Sequence, residues 1–198
     1  MSKTILYLES DQKAALDTGF MAAFGGNPTK YFSAPGRTEV AGNHTDHQHG
    51  RVLAASVNLD AIAIVAKDEN VVKVVSDNFD IQEIDVCDLD KKDDEKATSE
   101  ALIRGVLAGL KKEGANIGGF KAYITSDVLI GAGLSSSAAF EVMIGTIVNG
   151  LYNDMSVDKV TIAKIGQFAE NVYFEKPCGL MDQCACSVGS LISIDFND

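Results

Sequence analysis

Residues 120–151 change their hydrophobic period midway, and that change constrains the fold more than any other feature of the chain. Phe120, Ala122 and Ile124 alternate with Lys121, Tyr123 and Thr125, the period of a half-buried strand. Phe140, Ile144, Ile147 and Leu151 recur at helical spacing. Between them runs Gly131-Ala132-Gly133-Leu134-Ser135-Ser136-Ser137-Ala138-Ala139. A strand that enters a helix through a turn of small residues belongs to a layered fold of sheet and helices.

That turn also suggests chemistry. Glycine lets the backbone approach a ligand closely. The first N–H groups of the helix and the positive end of its dipole suit an anion. Three serine hydroxyls add donors, and one can ligate a hard cation such as Mg²⁺. The competing reading is a linker or a serine-rich cap, but linkers seldom lie between strongly periodic apolar segments. The turn is not a Walker A loop, because no Gly-Lys pair occurs in the chain, and it lacks the third glycine of a dinucleotide fingerprint.

The rest of the chain alternates in the same way. Ser10 caps a predicted helix carrying Leu16, Phe20 and Phe24, which Gly25-Gly26 ends. A short strand is expected at 31–34, up to Pro35-Gly36. Residues 57–66 and 71–75, joined by Asp68-Glu69-Asn70, predict a hairpin. The acidic stretch 85–95 reads as an exposed loop. Thr98 or Ser99 starts a helix with Leu102, Val106 and Leu110 on one face and Gly114 at its end. Ser156 is the expected cap of a helix with Val160, Ala163 and Phe168 inward, and Pro177 suits the first turn of another. A final strand is expected at 191–196. The pattern argues an α+β or α/β layered domain.

Charge narrows the partners. Seventeen basic against 28 acidic residues give a formal net charge of -11 over 198 residues. A chain so acidic is a poor non-specific ligand for nucleic acid or anionic membranes. No apolar run reaches the length of a bilayer span, and residues 1–4 lack the apolar core of a signal peptide. Cys87, Cys178, Cys184 and Cys186 are laid out poorly for a disulfide framework or a paired zinc motif. Free thiols in a reducing cytoplasm are expected.

Two further segments carry polar groups. Residues 36–50 hold Arg37, Asn43, His44, Asp46, His47 and His49. A zinc site is conceivable there, although the ligands crowd together without a distant partner to complete a tetrahedron. A polar wall for a hydroxylated ligand, or a solvated loop, are the other readings. Glu170 falls on a predicted helix. Asp182, in Pro177-Cys178-Gly179-Leu180-Met181-Asp182-Gln183, has apolar neighbours that predict partial burial and hence a cationic partner such as Arg37.

Together, Gly131–Ala139, Gly36–Gly50 and Cys178–Gln183 resemble the motifs of the kinase superfamily of galactose, homoserine, mevalonate and phosphomevalonate kinases (GHMP), most closely its galactokinase branch. Phe20, Phe24-Gly25 and Pro28 fit the family's opening, and the resemblance spans nearly the whole chain. It implies an α+β fold: a two-layer mixed sheet with helices packed on one side, the N-terminal domain of the GHMP kinase fold over residues 1–198. It implies ATP-dependent phosphorylation of galactose at the anomeric hydroxyl. Asp182 is then the catalytic base with Arg37 beside it. Gly131, Gly133, Leu134, Ser135, Ser136, Ser137 and Ala138 hold the nucleotide phosphates, Ser137 and Glu170 hold Mg²⁺, and Asn43, His44, Asp46 and Asp182 line the sugar pocket.

The sequence departs from the family at several points. Asn43 stands for a glutamate, His47 for a tyrosine, Gln48 for an asparagine, Thr38-Glu39 for Val-Asn, Leu129 for a proline and Asn171 for a histidine. The changes cluster in the sugar wall, so a kinase for a related sugar is one alternative. A non-catalytic sensor of sugar and ATP is another, against which the complete serine run and Asp182 argue. The family's glycine-rich third motif is not among these residues. A truncated chain is therefore expected, with its own C-terminal domain needed to complete the cleft and little turnover alone.

Overall fold

The computed structural model describes residues 10–76, 79–81, 83–129 and 131–197. Among them, seven strands form one mixed sheet: β1 Lys30–Ala41, β2 Arg51–Lys67, β3 Val71–Ser76, β4 Phe79–Asp80, β5 Ile84–Asp85, β6 Phe120–Ser126 and β7 Leu191–Asp195. The path runs β1-β2-β6-β3-β4, with β5 on β3 and β7 on β2. The helices are α1 Ser10–Phe24, α2 Ser99–Lys112, α3 Ser136–Tyr152, α4 Lys159–Phe168 and α5 Met181–Val188. A π-helical turn, Ala169–Tyr173, continues α4.

Strand β2 organises the molecule. Its first half pairs with β7 and its second half with β6 along one edge, while β1 runs along the other. Residues alternate between faces along a strand. Ala61, Ala63 and Val65 therefore enter the main core with Val106, Leu110, Ile144 and Ile147 from α2 and α3. Ile62, Ile64 and Ala66 point the opposite way and meet Leu16, Phe20 and Phe24 of α1. The expected mixed sheet with helices on one side is present, and α1 adds cover on the second face. Phe20 is fully buried there, so its truncation to alanine is expected to cost about 3–5 kcal/mol. Val52 and Ala54 form a third cluster with Met181 and Ala185, which seats α5 against β2.

Several local expectations are corrected. Strand β1 does not stop at Pro35-Gly36. It runs through them with a bulge between Pro35 and Arg37, which its edge position permits, because proline's missing N–H and a bulge are both tolerated there. Residues 57–66 and 71–75 are strands but not a hairpin. β6 inserts between β2 and β3, antiparallel to the first and parallel to the second. Long-range pairing with β6 buries both its neighbours and outweighs the short turn.

The acidic segment 85–95 is not simply exposed. Val86 is buried, and the buried Arg104 holds the segment through the Glu95 carboxylate and the Asp88 carbonyl. Asp158, not Ser156, caps α4, accepting from the amides of Val160 and Thr161 at 3.0 Å each. Val160 consequently faces solvent. Pro177 precedes α5 instead of lying in its first turn. Thr98 does cap α2, accepting from Ala101 N–H. Gly105 lets α2 settle on the π turn, where an added Cβ would lie 2.8 Å from Ala169 Cα.

Candidate functional site

Three elements converge on one carboxylate. Arg37 leaves the β1 bulge, Asp182 sits in the first turn of α5, and Ser135 precedes α3. Arg37 donates from Nε to Asp182 Oδ1 and from Nη2 to Oδ2, both at 2.7 Å. Its Nη1 donates to the Gly133 carbonyl at 2.8 Å. The Ser135 hydroxyl donates to Asp182 Oδ2. A guanidinium bonded in this paired way is both strong and directional.

The electrostatics follow from the geometry. Burial raises the Asp182 carboxyl, but hydrogen bonds from Arg37 and Ser135, with the Arg37 charge, more than offset it and leave the group below the usual carboxylate range. Arg37 is 8% exposed. Asp182 is thus an ionised acceptor, partly open to solvent and fixed in orientation.

The glycine–serine turn is anchored to the same strand. Arg37 N–H donates to the Leu134 carbonyl at 3.1 Å. A Cβ at Gly36 would lie 3.0 Å from Val128 Cγ1 and 3.1 Å from the Leu134 oxygen, so the strand approaches the turn closely because it lacks a side chain there. Gly131, Gly133 and Ser135 have positive φ, and α3 begins at Ser136. Ser135 makes no side-chain cap, since its hydroxyl is committed to Asp182. The N-terminal end of α3 therefore lies beside Arg37 and Asp182, an arrangement suited to an anion.

Behind the turn lies a second polar group. Ser137 Oγ donates to Glu170 Oε1 at 3.2 Å, and Lys176 Nζ bonds to the same oxygen at 2.9 Å. Glu170 is 2% exposed and reaches this position from the π turn, an irregularity that often marks functional sites. Gln183 Nε2 donates to Glu170 Oε2 at 2.9 Å and to Glu141 Oε2 at 3.1 Å. Burial, with Glu170 nearby, pushes the Glu141 carboxyl well up. Burial and Glu170 likewise raise the Cys178 thiol, which stays neutral. Asn171 is tied to the backbone of Cys178 through both ends of its amide.

Asn43 and His44 sit on the rim. His44 Nε2 is 3.4 Å from Glu39 Oε2, and its Nδ1 is 4.0 Å from Asp182 Oδ1. Asp46 lies in the 3-10 turn Thr45–Gln48, but its side chain, like that of His47, is outside the described residues. His49 Nδ1 is 3.1 Å from the Phe196 carbonyl, away from His44's partners. Among the described residues no cluster of three or more His, Cys, Asp or Glu could hold a metal ion, and the four cysteines are free.

The structure thus gathers Arg37, Asp182, Ser135 and the glycine turn, with Ser137 and Glu170 behind it and His44 at the edge. Sequence reasoning missed Glu39, Glu141, Lys176 and Gln183. Glu141 had a visible signal: it is the only charged residue in α3, so its burial required a polar partner.

Comparison with known proteins falls on the same segments. Residues 101–190 match the family described as GHMP kinases N terminal domain, and residues 18–67 match the galactokinase galactose-binding signature. The galactokinase of Lactobacillus helveticus is 36% identical over 171 residues, 84% of this chain and 44% of the relative. That of Pyrococcus furiosus is 38% identical over 165 residues, 83% of this chain and 46% of the relative. The crystal structure of Lactococcus lactis galactokinase complexed with galactose superposes with a TM-score of 0.85 at 30% identity, over 93% of this chain and 49% of that one. Methanococcus jannaschii mevalonate kinase shares the fold, with a TM-score of 0.71 at 18% identity over 87% of this chain and 55% of that one. The chain spans less than half the length of the two galactokinases matched by sequence. Residues 18–67 thus carry the galactokinase galactose-binding signature and residues 101–190 the GHMP kinase N-terminal domain, in a chain similar to galactokinases over part of their length.

Proposed function

We propose that this chain is the N-terminal domain, residues 1–198, of an enzyme that phosphorylates galactose at its anomeric hydroxyl with ATP. The observation that carries the reading is the Arg37–Asp182 pair, with both nitrogen-to-oxygen distances at 2.7 Å, set against the glycine–serine turn. A C-terminal domain completes the cleft. A cytoplasmic location goes with the four free thiols, and no described helix is long and apolar enough to cross a membrane.

In this reading Asp182 accepts a hydrogen bond from the anomeric hydroxyl and aims its oxygen at the γ-phosphorus. As the new O–P bond forms and the bond to the β-phosphate oxygen breaks, the hydroxyl proton passes to Asp182. Arg37 makes Asp182 a weak base, so orientation matters more than proton affinity. That suits phosphoryl transfer through a loose transition state, where positioning and charge neutralisation dominate. The amides at residues 133–138 and the Ser136 hydroxyl hold the phosphates, while the Ser135 hydroxyl stays on Asp182 and the Ser137 hydroxyl on Glu170. Asn43, His44 and Asp46 line the sugar.

Ser137 and Glu170 fit Mg²⁺ chemically: both offer hard oxygens, and they already meet at 3.2 Å. Bound there, Mg²⁺ would neutralise the nucleotide phosphates. Lys176 bonds to the same Glu170 oxygen, so its exposed ammonium must move aside for the cation.

One observation favours a second reading. Position 43 carries an uncharged amide, which bonds a sugar hydroxyl less strongly than a carboxylate does. A related sugar, a derivatised galactose or a pentose, is then the substrate. Sugar-dependent ADP release settles the choice, measured on the chain alone and supplied with the C-terminal half of Lactococcus lactis galactokinase. Galactose-dependent turnover by the completed protein, with little by the chain alone, is expected. Turnover on another sugar and none on galactose moves the assignment to that sugar. Binding without ADP release on any sugar removes the kinase reading.

A further inference from the structure

Glu39 lies in β1 two residues beyond Arg37, beside the place where the strand's register shifts. Its side chain is 19% exposed and turns back onto the loop that follows. One carboxylate oxygen accepts the Asn43 N–H, and the other lies 3.4 Å from His44 Nε2. Asn43 and His44 are successive non-glycine residues in the left-handed region, with φ of 55° and 48°. Asn and His tolerate that region better than most residues, but two in succession need an external hold. On the far side of the ring, Nδ1 is 4.0 Å from Asp182 Oδ1.

We propose that Glu39 is a positioning residue of the sugar wall, which locks the Asn43-His44 turn and fixes the His44 imidazole with Nε2–H on Glu39 and a bare Nδ1 facing the cleft beside Asp182. A neutral imidazole has one donor and one acceptor nitrogen, and the partner of the first decides the role of the second. With Glu39 accepting from Nε2–H, Nδ1 becomes an acceptor for a sugar hydroxyl that donates. Residue 43 has no charge of its own, and Glu39 supplies a carboxylate to the same turn from the strand. The kinetic part of this inference rests on the sugar-kinase reading above, and the spectroscopic part does not.

The test has two arms. In ¹⁵N-histidine spectra of the 198-residue chain, with His44→Ala identifying the His44 signals, His44 should carry its proton on Nε2. In Glu39→Gln, whose amide still accepts the Asn43 N–H and so preserves the fold, that tautomer should lose its dominance. A proton on Nδ1 in the wild type, or an unchanged tautomer in Glu39→Gln, overturns the proposal. In the chain supplied with a galactokinase C-terminal half, Glu39→Ala should raise the sugar KM by about tenfold, the scale of losing one hydrogen bond aligned by a charge. ATP KM and kcat should change little, and Glu39→Ala should add nothing in a His44→Ala background. An unchanged sugar KM, or effects that add, also overturns it. If the wild type turns over no sugar, the kinase reading falls and the tautomer arm alone decides for or against Glu39.

Discussion

Arg37 and Asp182, 145 positions apart in sequence, meet through two nitrogen–oxygen contacts of 2.7 Å. The contact joins a bulged edge strand to the first turn of α5 and leaves one face of the carboxylate open. If that face receives the sugar hydroxyl, Asp182→Ala should reduce kcat by about 10²–10⁴-fold, the range of general-base assistance. Fold and sugar affinity should change less. A coupled assay of ADP release checks this, and near wild-type turnover in Asp182→Ala would remove the residue from the chemistry.

Arg37 governs the pH response of the same carboxylate. In the wild type, burial raises Asp182, while Arg37 and Ser135 outweigh that effect and depress it. A depressed carboxylate contributes stability above its unfolded pKa of about 3.9, and that contribution is lost as pH falls through the folded value. Arg37→Ala removes the largest of the effects that oppose burial and leaves the Ser135 hydrogen bond. The Asp182 pKa then rises, and the acid limb of the kcat/KM profile moves to higher pH. A limb that stays in place, with activity otherwise measurable, shows that another group sets it.

The contrast between these residues and their surroundings explains what was legible in the sequence. The periods of α2, α3 and β6 could be read from the spacing of their large apolar residues, although α2 and α3 are buried on nearly every side. The Arg37–Asp182 pairing followed from a carboxylate among apolar neighbours that needed a cation. The insertion of β6 between β2 and β3 left no local trace, because strand order is set by pairing across distant segments. Strand β1 was cut short at Pro35 because proline's cost depends on whether the strand lies at an edge, which residues 30–41 do not reveal. Ser156 and Asp158 are both good caps, and only the chain's path decided for Asp158. Gln183 was passed over because its importance lies in bridging Glu141 and Glu170 from two other elements.

Arg104 should be the main clamp on the acidic segment. Its Nε and Nη2 donate to the two Glu95 oxygens at 2.8 and 2.6 Å, and the guanidinium also reaches the Asp88 carbonyl. The Arg104 side chain is 3% exposed and that of Glu95 18%. Arg104→Met keeps much of the volume but strands a mostly buried carboxylate. A loss of about 3 kcal/mol in urea unfolding is expected, at the low end for breaking a buried ion pair because Glu95 keeps some solvent. Converting Glu95 to Gln in the same chain should recover part of that loss, since the stranded charge is then gone. An Arg104→Met variant as stable as the wild type would mean the segment is held by its other contacts, among them buried Val86, the Tyr173 hydroxyl on the Leu89 carbonyl and the Lys91–Glu175 pair.

Glu141 offers the sharpest pH test of stability. It is 1% exposed, and its Oε1 has no hydrogen-bond partner. Burial, and next the nearby Glu170 charge, raise its pKa far above the usual carboxylate range. An acid raised on folding contributes stability in full below its unfolded pKa of about 4.3, and the contribution disappears as pH rises through the folded value. The wild type should therefore lose melting temperature on the alkaline side. Glu141→Gln keeps the shape, offers an amide in place of a carboxyl and carries no proton to lose, so this part of the slope should flatten and the variant should gain on the wild type as pH rises. Melting curves of both proteins between pH 5 and pH 9 decide it, because parallel curves would mean that Glu141 does not titrate in the folded chain and that Gln183 and Lys176 stabilise two charged carboxylates side by side.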